Sequence, residues 1–145
     1  MQDIFSNTVT IAAPVALVKA WLLDPARLNA WNPEITAISP AQPIGRLHIT
    51  RSGQALNREE DIQIIESDDL IIYASTGGRL AYRLTFQLTD SEDQTVIEEH
   101  LLVDGEAHPL LPFELLAPIA KKAFYDNLVR LSILAQADSP AGDDK

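Results

Sequence analysis

The chain has 145 residues, 46% hydrophobic and 22% charged, a composition typical of a folded protein with a buried core rather than a disordered one. Its formal net charge of −10 argues against nucleic acid or anionic membrane surfaces as partners, because both attract clustered Lys and Arg. The chain has no cysteine, and hence no disulfide or thiolate site, and no apolar run of signal-peptide or membrane-spanning length, so we expect a cytoplasmic protein without integral membrane association.

The first thirty-three residues predict a strand followed by two short helices. Alternation over residues 5–11 places Phe5, Asn7, Val9 and Ile11 on one face of the strand. Ala13-Pro14 is a helix-start signal, because proline already has a helical φ. The first helix is expected to end at Asp24-Pro25 and the second at Trp31-Asn32-Pro33.

Residues 34–104 predict an antiparallel meander. Gly77-Gly78 indicates a hairpin turn, because such turns require positive φ angles. The clearest alternation is that of Leu80, Tyr82, Leu84, Phe86 and Leu88. Strands are expected at 35–39, 44–51, 56–66, 70–75, 80–88 and 95–103.

The C-terminal part predicts one long amphipathic helix over residues 113–137, with an apolar stripe that includes Phe124, Leu128 and Leu131. Pro118 is expected in its first turn, because proline deeper in a helix costs about 3 kcal/mol or more. Residues 1–137 are therefore interpreted as a single domain, and residues 138–145 as a disordered acidic tail.

This order of elements resembles the START-like, or Bet v 1-like (SRPBCC), helix-grip superfamily, and within it the bacterial polyketide cyclase/dehydrase and lipid-transport type. The resemblance implies an α+β fold in which a seven-stranded antiparallel sheet curls around the C-terminal helix and two short helices close one end. It also implies a cavity for a small hydrophobic molecule, in a monomer or homodimer. The residues that carry it are Ala13-Pro14, Trp21, Asp24-Pro25, Leu28, Trp31-Asn32-Pro33, Phe124, Leu128 and Leu131.

Familiar catalytic and cofactor motifs are missing from the sequence. His48, His100 and His108 show no metal-ligand spacing, so no metal is expected. The chain has no G-x-S-x-G nucleophile elbow and no G-x-G-x-x-G or Walker-type phosphate loop. We therefore expect no cofactor.

Two charged residues fall on a strand face that should be apolar. If Leu56, Ile62 and Ile64 point inward, alternation places Arg58 and Glu60 inward as well. One interpretation is a strand that projects past the core, with its charged end in solvent. The other places Arg58 and Glu60 at the cavity mouth, where they would orient a ligand carboxylate, phosphate or hydroxyl, because buried charges need partners.

The facing of the last strand is ambiguous, because a one-residue shift in register exchanges its two faces. Ile97, Leu101 and Val103 favour an inward Glu99, which could then pair with Arg58. The other register would turn Glu98 and His100 inward. We favour the first register, which makes His100 a surface residue.

Aromatic and polar residues of the inner faces complete the predicted site. Tyr82 and Asn7 have two interpretations, as packed core residues or as hydrogen-bonding partners of a ligand. The segment 106–112 could cover the opening. The full ligand-binding prediction is Asn7, Trp31, Leu56, Arg58, Glu60, Tyr82, Leu84, Phe86, Glu99, Leu101, Phe113, Leu116 and Phe124.

Three functions are compatible with these residues. The first is binding or transport of a lipid, polyketide or similar hydrophobic molecule. The second is a cyclase or dehydratase in which Arg58 binds an oxyanion, Glu60 or Glu99 acts as general base and Tyr82 donates a proton. The third is a co-chaperone-like module that binds a protein through its acidic outer face.

Overall fold

The computed structural model describes residues 1–53, 57–104 and 112–139. Its helices are α1 (Val15–Leu23), α2 (Leu28–Trp31), which follows a 3-10 turn at Pro25–Arg27, and α3 (Phe113–Asp138). Its strands are β1 (Gln2–Ile11), β2 (Ile35–Ala41), β3 (Arg46–Arg51), β4 (Glu59–Ser67), β5 (Leu70–Thr76), β6 (Tyr82–Ser91) and β7 (Gln94–Val103).

The strands form one antiparallel sheet in the order β1-β7-β6-β5-β4-β3-β2. Each strand from β2 to β6 is hydrogen-bonded to the next strand in sequence, whereas β1 pairs with β7 and forms one edge of the sheet. The segment between β1 and β2, which contains α1 and α2, therefore connects the two edges of the sheet. The α+β helix-grip architecture expected from the sequence is confirmed.

The inner face of the sheet follows the predicted alternation. Phe5, Asn7 and Ile11 are buried on β1, and Glu99 of β7 is directly opposite Asn7. Glu99 is buried whereas Glu98 is exposed, so the odd-numbered face of β7 points inward. The favoured register of this strand is confirmed, because Ile97, Leu101 and Val103 gain more from burial than the even-numbered residues could.

Aromatic rings fill the core beneath α2. Trp31 packs edge-on against Phe86 with ring centroids 6.1 Å apart, and Tyr73 packs against Phe86 at 5.1 Å. The Tyr73 hydroxyl donates a hydrogen bond to the Leu22 carbonyl of α1. These contacts fix the short helices against the sheet, and they fill this end of the fold with protein side chains.

The long helix α3 packs across the sheet through Leu128, Leu131 and Ala135, which are fully buried. Pro118 lies in its second turn, because the helix begins at Phe113, so the prediction of a first-turn position was wrong. Because proline has no N–H, the Glu114 carbonyl loses the helical hydrogen bond that residue 118 would donate. Both residues lie toward solvent, and water can replace this bond.

The helix also extends one residue past its predicted end at residue 137. Asp138 is its last residue, and its carboxylate accepts a hydrogen bond from the Trp21 indole at 3.0 Å. Residues 140–145 lie outside the described part of the chain. None of the described helices is long and apolar enough to cross a membrane.

Candidate functional site

A cavity of about 450 Å³ lies between α3 and the sheet, beside the C-terminal end of β3 and the N-terminal end of β6. Its two long walls differ in chemistry: α3 supplies mainly apolar side chains, and the other wall is polar. The residues that line it are Pro33, Glu34, Arg51, Ser52, Gly53, Asn57, Tyr82, Leu116, Ile119, Ala120, Ala123, Phe124, Asp126, Asn127 and Arg130.

The apolar wall is one side of α3. Leu116, Ala120 and Ala123 recur at helical spacing, and Ile119 and Phe124 extend the same surface. Phe124 also packs on Phe5 of β1 with ring centroids 5.4 Å apart, which holds its ring in place. Two alanines in this wall leave space between helix and sheet that larger side chains would fill.

The polar wall is centred on an ion pair between Arg51 and Glu60. Arg51 Nε donates to Glu60 Oε1 at 2.9 Å, and Nη2 lies 2.9 Å from the same oxygen. Arg51 Nη1 donates to Glu34 Oε1 at 2.5 Å. The Glu60 side chain is fully buried and that of Arg51 is 10% exposed, so the guanidinium separates the carboxylate from the cavity.

Three further side chains hold the Glu60 carboxylate. Tyr82 donates its hydroxyl to Oε1 at 2.8 Å, while Ser75 and Asn57 donate to Oε2 at 2.6 and 2.9 Å. A carboxylate offers about four lone-pair sites, and hydrogen bonds from four residues fill them. Glu60 is therefore an anchor for the polar wall, since it could accept a proton from a substrate only by giving up one of these bonds.

Asn57 connects this carboxylate to the turn between β5 and β6. Its side-chain amide donates to the Leu80 carbonyl and accepts from the Leu80 amide, both at 2.7 Å. A Cβ on Gly78 would lie 2.6 Å from Asn57 Cγ, so only glycine leaves room for this contact. The Gly77-Gly78 turn thus has a packing role besides reversing the chain.

The polar wall continues outward onto α3. Asn127 donates to Asn32 Oδ1 at 3.0 Å and to Glu34 Oε1 at 3.4 Å, and it accepts from Arg130 at 2.9 Å. The series of contacts from Glu60 through Arg51 and Glu34 to Asn127 therefore joins the sheet to the helix along one side of the cavity.

Burial raises the pKa of Tyr82 far above its ordinary value, so its hydroxyl stays protonated.

Glu99 forms a second buried polar site, separate from the residues that line the cavity. Asn7 donates to Glu99 Oε1 at 3.1 Å and to the Lys121 carbonyl of α3 at 3.1 Å. Burial raises the pKa of the Glu99 carboxyl to about 8, although the Asn7 hydrogen bond and the charge of His100 oppose this shift. The carboxyl is thus mainly protonated at neutral pH.

The structure corrects the prediction for Arg58. Arg58 is exposed and does not line the cavity, and Arg51 is the partner of Glu60. The Arg51 amide donates to the Arg58 carbonyl, which places the two residues opposite each other where β3 and β4 begin to separate. Two guanidinium groups facing inward there would repel each other. Glu99 is likewise not a partner of Arg58, since Glu99 is buried and accepts a hydrogen bond from Asn7, whereas Arg58 is exposed.

Other predicted residues divide between cavity and core. Tyr82, Leu116 and Phe124 line the cavity, with Glu60 directly behind. Phe113 is half-buried against the core and does not line the cavity. Leu56 and residues 106–111 of the proposed cover lie outside the described residues. The predicted residues that pack in the core instead are Trp31, Leu84, Phe86 and Leu101.

Two histidines lie on the outer face of the sheet, each between two carboxylates. His48 contacts Asp61 at 2.8 Å and Glu59 at 3.3 Å, and His100 contacts Asp3 at 2.7 Å and Glu98 at 2.9 Å. Hydrogen bonds to these carboxylates raise the pKa of both histidines. Across residues 1–53, 57–104 and 112–139, no His, Cys, Asp and Glu side chains form a group of three able to hold a metal ion.

Comparison with known families agrees with this architecture. The family model described as polyketide cyclase / dehydrase and lipid transport matches residues 2–135. The chain belongs to this family. A comparison with curated protein sequences gave no significant match. The expected START-like, SRPBCC type of helix-grip protein is thereby confirmed.

Solved structures similar to this member of the polyketide cyclase / dehydrase and lipid transport family share its fold at low sequence identity. A START superfamily protein from Mycobacterium smegmatis has a TM-score of 0.73 and 16% identity over 91% of this chain and 96% of that one. A conserved protein from Geobacillus kaustophilus has a TM-score of 0.68 and 15% identity, with 90% and 93% covered. The di-domain ARO/CYC StfQ from the steffimycin biosynthetic pathway has a TM-score of 0.71 and 12% identity, with 91% and 50% covered.

Proposed function

We propose that this protein binds a small, mainly apolar molecule in the cavity between α3 and the polar wall, and carries or presents that molecule without transforming it. The observation that supports this most strongly is the two-sided cavity, in which an apolar helix face is opposite a few fixed polar groups. Ligand sites generally combine a mostly apolar lining with a small number of oriented polar groups. The volume of about 450 Å³ is within the usual range for such sites.

The state of the polar groups favours binding over catalysis. The hydrogen bonds that hold Glu60 fill its oxygens, and the Tyr82 proton is directed at Glu60. A general base or acid must reach the reacting atom with a free lone pair or a transferable proton. Glu60 and Tyr82 instead hold each other and Arg51 in fixed positions, which suits recognition of a ligand.

The first experiment is to identify what the protein binds. Native mass spectrometry of the purified protein, followed by extraction, would reveal a ligand retained from the cell. Displacement of the fluorescent probe N-phenyl-1-naphthylamine by a panel of lipids and polyketide-like aromatics would measure affinity. A protein that is isolated empty and binds neither the probe nor any member of the panel would contradict the proposal.

Filling the cavity tests whether the ligand binds there. Ala120→Phe places a ring on the apolar wall, and we expect it to weaken probe binding about tenfold or more, because the ring occupies the ligand's space. Ala20→Phe is the matched control, since Ala20 is exposed on α1 and does not line the cavity. Equal affinity of both variants would place the binding site elsewhere, provided that circular dichroism shows both to be folded.

A further inference from the structure

We infer that the cavity selects a ligand with an uncharged polar group, a hydroxyl or a carbonyl, over one with a carboxylate or phosphate, and that Glu34 determines this selectivity. The inference rests on the proposed binding function and specifies the ligand class. It also narrows the expectation from the sequence, in which charged residues at the cavity mouth orient a ligand carboxylate, phosphate or hydroxyl. It follows from the charges around Arg51.

The positive charge of Arg51 is already compensated twice. Glu60 is in contact with two of its nitrogens, and Glu34 is in contact with the third. All three groups are buried or partly buried, where charges interact more strongly than in water. An incoming carboxylate would therefore meet a guanidinium that already has two anionic partners.

The remaining charges of the cavity do not restore an excess of positive charge. Among the described lining residues the cations are Arg51 and Arg130, and the anions are Glu34 and Asp126, with Glu60 behind them. Asp126 also pairs with exposed Lys122 at 3.2 Å. Residues 54–56 and 105–111 contain no lysine or arginine. Arg130 is exposed and donates to Asn127, so a ligand anion that loses its hydration beside Arg51 meets no cation there that lacks an anionic partner.

A neutral group matches the hydrogen-bonding capacity that is left. A guanidinium has five N–H donors. In Arg51, Nε donates to Glu60, Nη1 donates to Glu34, and Nη2 lies beside Glu60. These contacts occupy three donors and leave two for a ligand. Tyr82 donates to Glu60, and its oxygen can still accept. A ligand hydroxyl can accept from Arg51 and donate to Tyr82, and a ligand carbonyl can accept from Arg51 without adding a negative charge. A carboxylate adds that charge and cannot donate.

Glu34 is the residue whose removal should change this preference. Glu60 is enclosed by four donors, but the Glu34 side chain is 29% exposed and lies on the cavity lining. Glu34→Gln keeps the shape and a hydrogen-bond acceptor for Arg51 while removing one negative charge. The Arg51, Glu34 and Glu60 cluster would then have no excess negative charge, and a ligand carboxylate could take the place of the missing anion beside Arg51.

The test compares decan-1-ol with decanoate, two ligands of equal chain length, by displacement of N-phenyl-1-naphthylamine at pH 7.5. We expect decan-1-ol to bind the wild-type protein at least about tenfold more tightly than decanoate. Glu34→Gln should reduce this ratio about tenfold or reverse it, mainly through tighter decanoate binding. Glu92→Gln makes the same change in net charge at an exposed turn and should leave the ratio unchanged.

The outcomes separate the inference from the proposed function. If neither the probe nor the two ligands bind, the proposed function itself is wrong. If the probe binds and decanoate displaces it as well as decan-1-ol does, the inferred selectivity is overturned while the cavity remains a binding site. The same holds if the probe binds and neither ligand displaces it. A wild-type preference that Glu34→Gln leaves unchanged, or that Glu92→Gln changes equally, overturns the assignment of selectivity to Glu34.

Discussion

Arg51→Met is expected to lower the free energy of unfolding by about 3–5 kcal/mol, because it removes one partner of a buried ion pair. The substitution leaves the fully buried Glu60 carboxylate with neutral donors only, and it also frees Glu34. Urea denaturation followed by circular dichroism at pH 7 measures the change directly. The same variant should lose ligand affinity, because Arg51 lines the polar wall of the cavity.

Two further variants show whether the loss arises from the ion pair. Arg58→Met removes the exposed arginine opposite Arg51, and its effect should stay within about 0.5 kcal/mol. The double variant Arg51→Met, Glu60→Gln should recover part of the stability lost in Arg51→Met, because it no longer buries an uncompensated charge. Equal destabilisation by the two arginine substitutions would show that the buried pair contributes no specific stability.

Glu99→Gln is expected to make the protein more stable at alkaline pH. The pKa of Glu99 is about 8 in the folded protein, against 4.5 for an ordinary glutamate, so the folded state retains a proton that the unfolded state has released. The stability associated with this proton is fully present below pH 4.5 and is lost as the pH rises toward 8. The substituted side chain keeps a neutral amide beside Asn7 and avoids this loss, with a gain of about 2–4 kcal/mol at pH 8.5.

Thermal and urea unfolding between pH 5.5 and 8.5 would measure this gain. The wild-type free energy of unfolding should decrease with pH relative to that of Glu99→Gln, by up to about 1.4 kcal/mol per pH unit below pH 8. Glu92→Gln, which removes an exposed carboxylate, should follow the wild-type pH profile. Parallel profiles for the wild type and Glu99→Gln would mean that Glu99 is ionised in the folded protein across this range.

The sequence was sufficient to predict most of the fold because its signals agree with one another. Alternation along β6 and β7 matches the faces that the sheet buries, and the apolar stripe of α3 matches the residues that contact the sheet. Errors occurred where an alternation was continued past the end of a strand. The pattern Leu56, Arg58, Glu60 implied a continuous strand, but β4 begins only at Glu59.

The site was harder to predict because its residues come from different kinds of segment. Glu60 and Tyr82 lie on strands and were identified by their faces. Arg51 carried a similar signal, since it shares a face of β3 with buried Ile49. Asn127 carried one too, because it lies next to Leu128 and one helical turn before Leu131, both of which are buried on α3. Glu34 lies between α2 and β2, where no periodicity shows where a side chain points.

The division between core and cavity could not be predicted from strand faces alone. Trp31, Phe86 and Tyr82 all point toward the interior, yet Trp31 and Phe86 pack against each other whereas Tyr82 lines the cavity. The residues that α2 and α3 bring to an inward face determine which part of that face packs against another ring and which part stays open. Those contacts join residues far apart in sequence, such as Asn32 and Asn127.

The pairing of β1 with β7 has a consequence for how the chain acquires its structure during synthesis. Asn7 and Glu99, which face each other across these strands, are separated by 92 positions, so β1 has no partner until most of the chain has been made. Contacts of such long range slow folding, because much of the chain must be ordered before they form. The apolar wall of the cavity is synthesised later still, and a ribosome-bound chain that ends before α3 would have no enclosed space for a ligand.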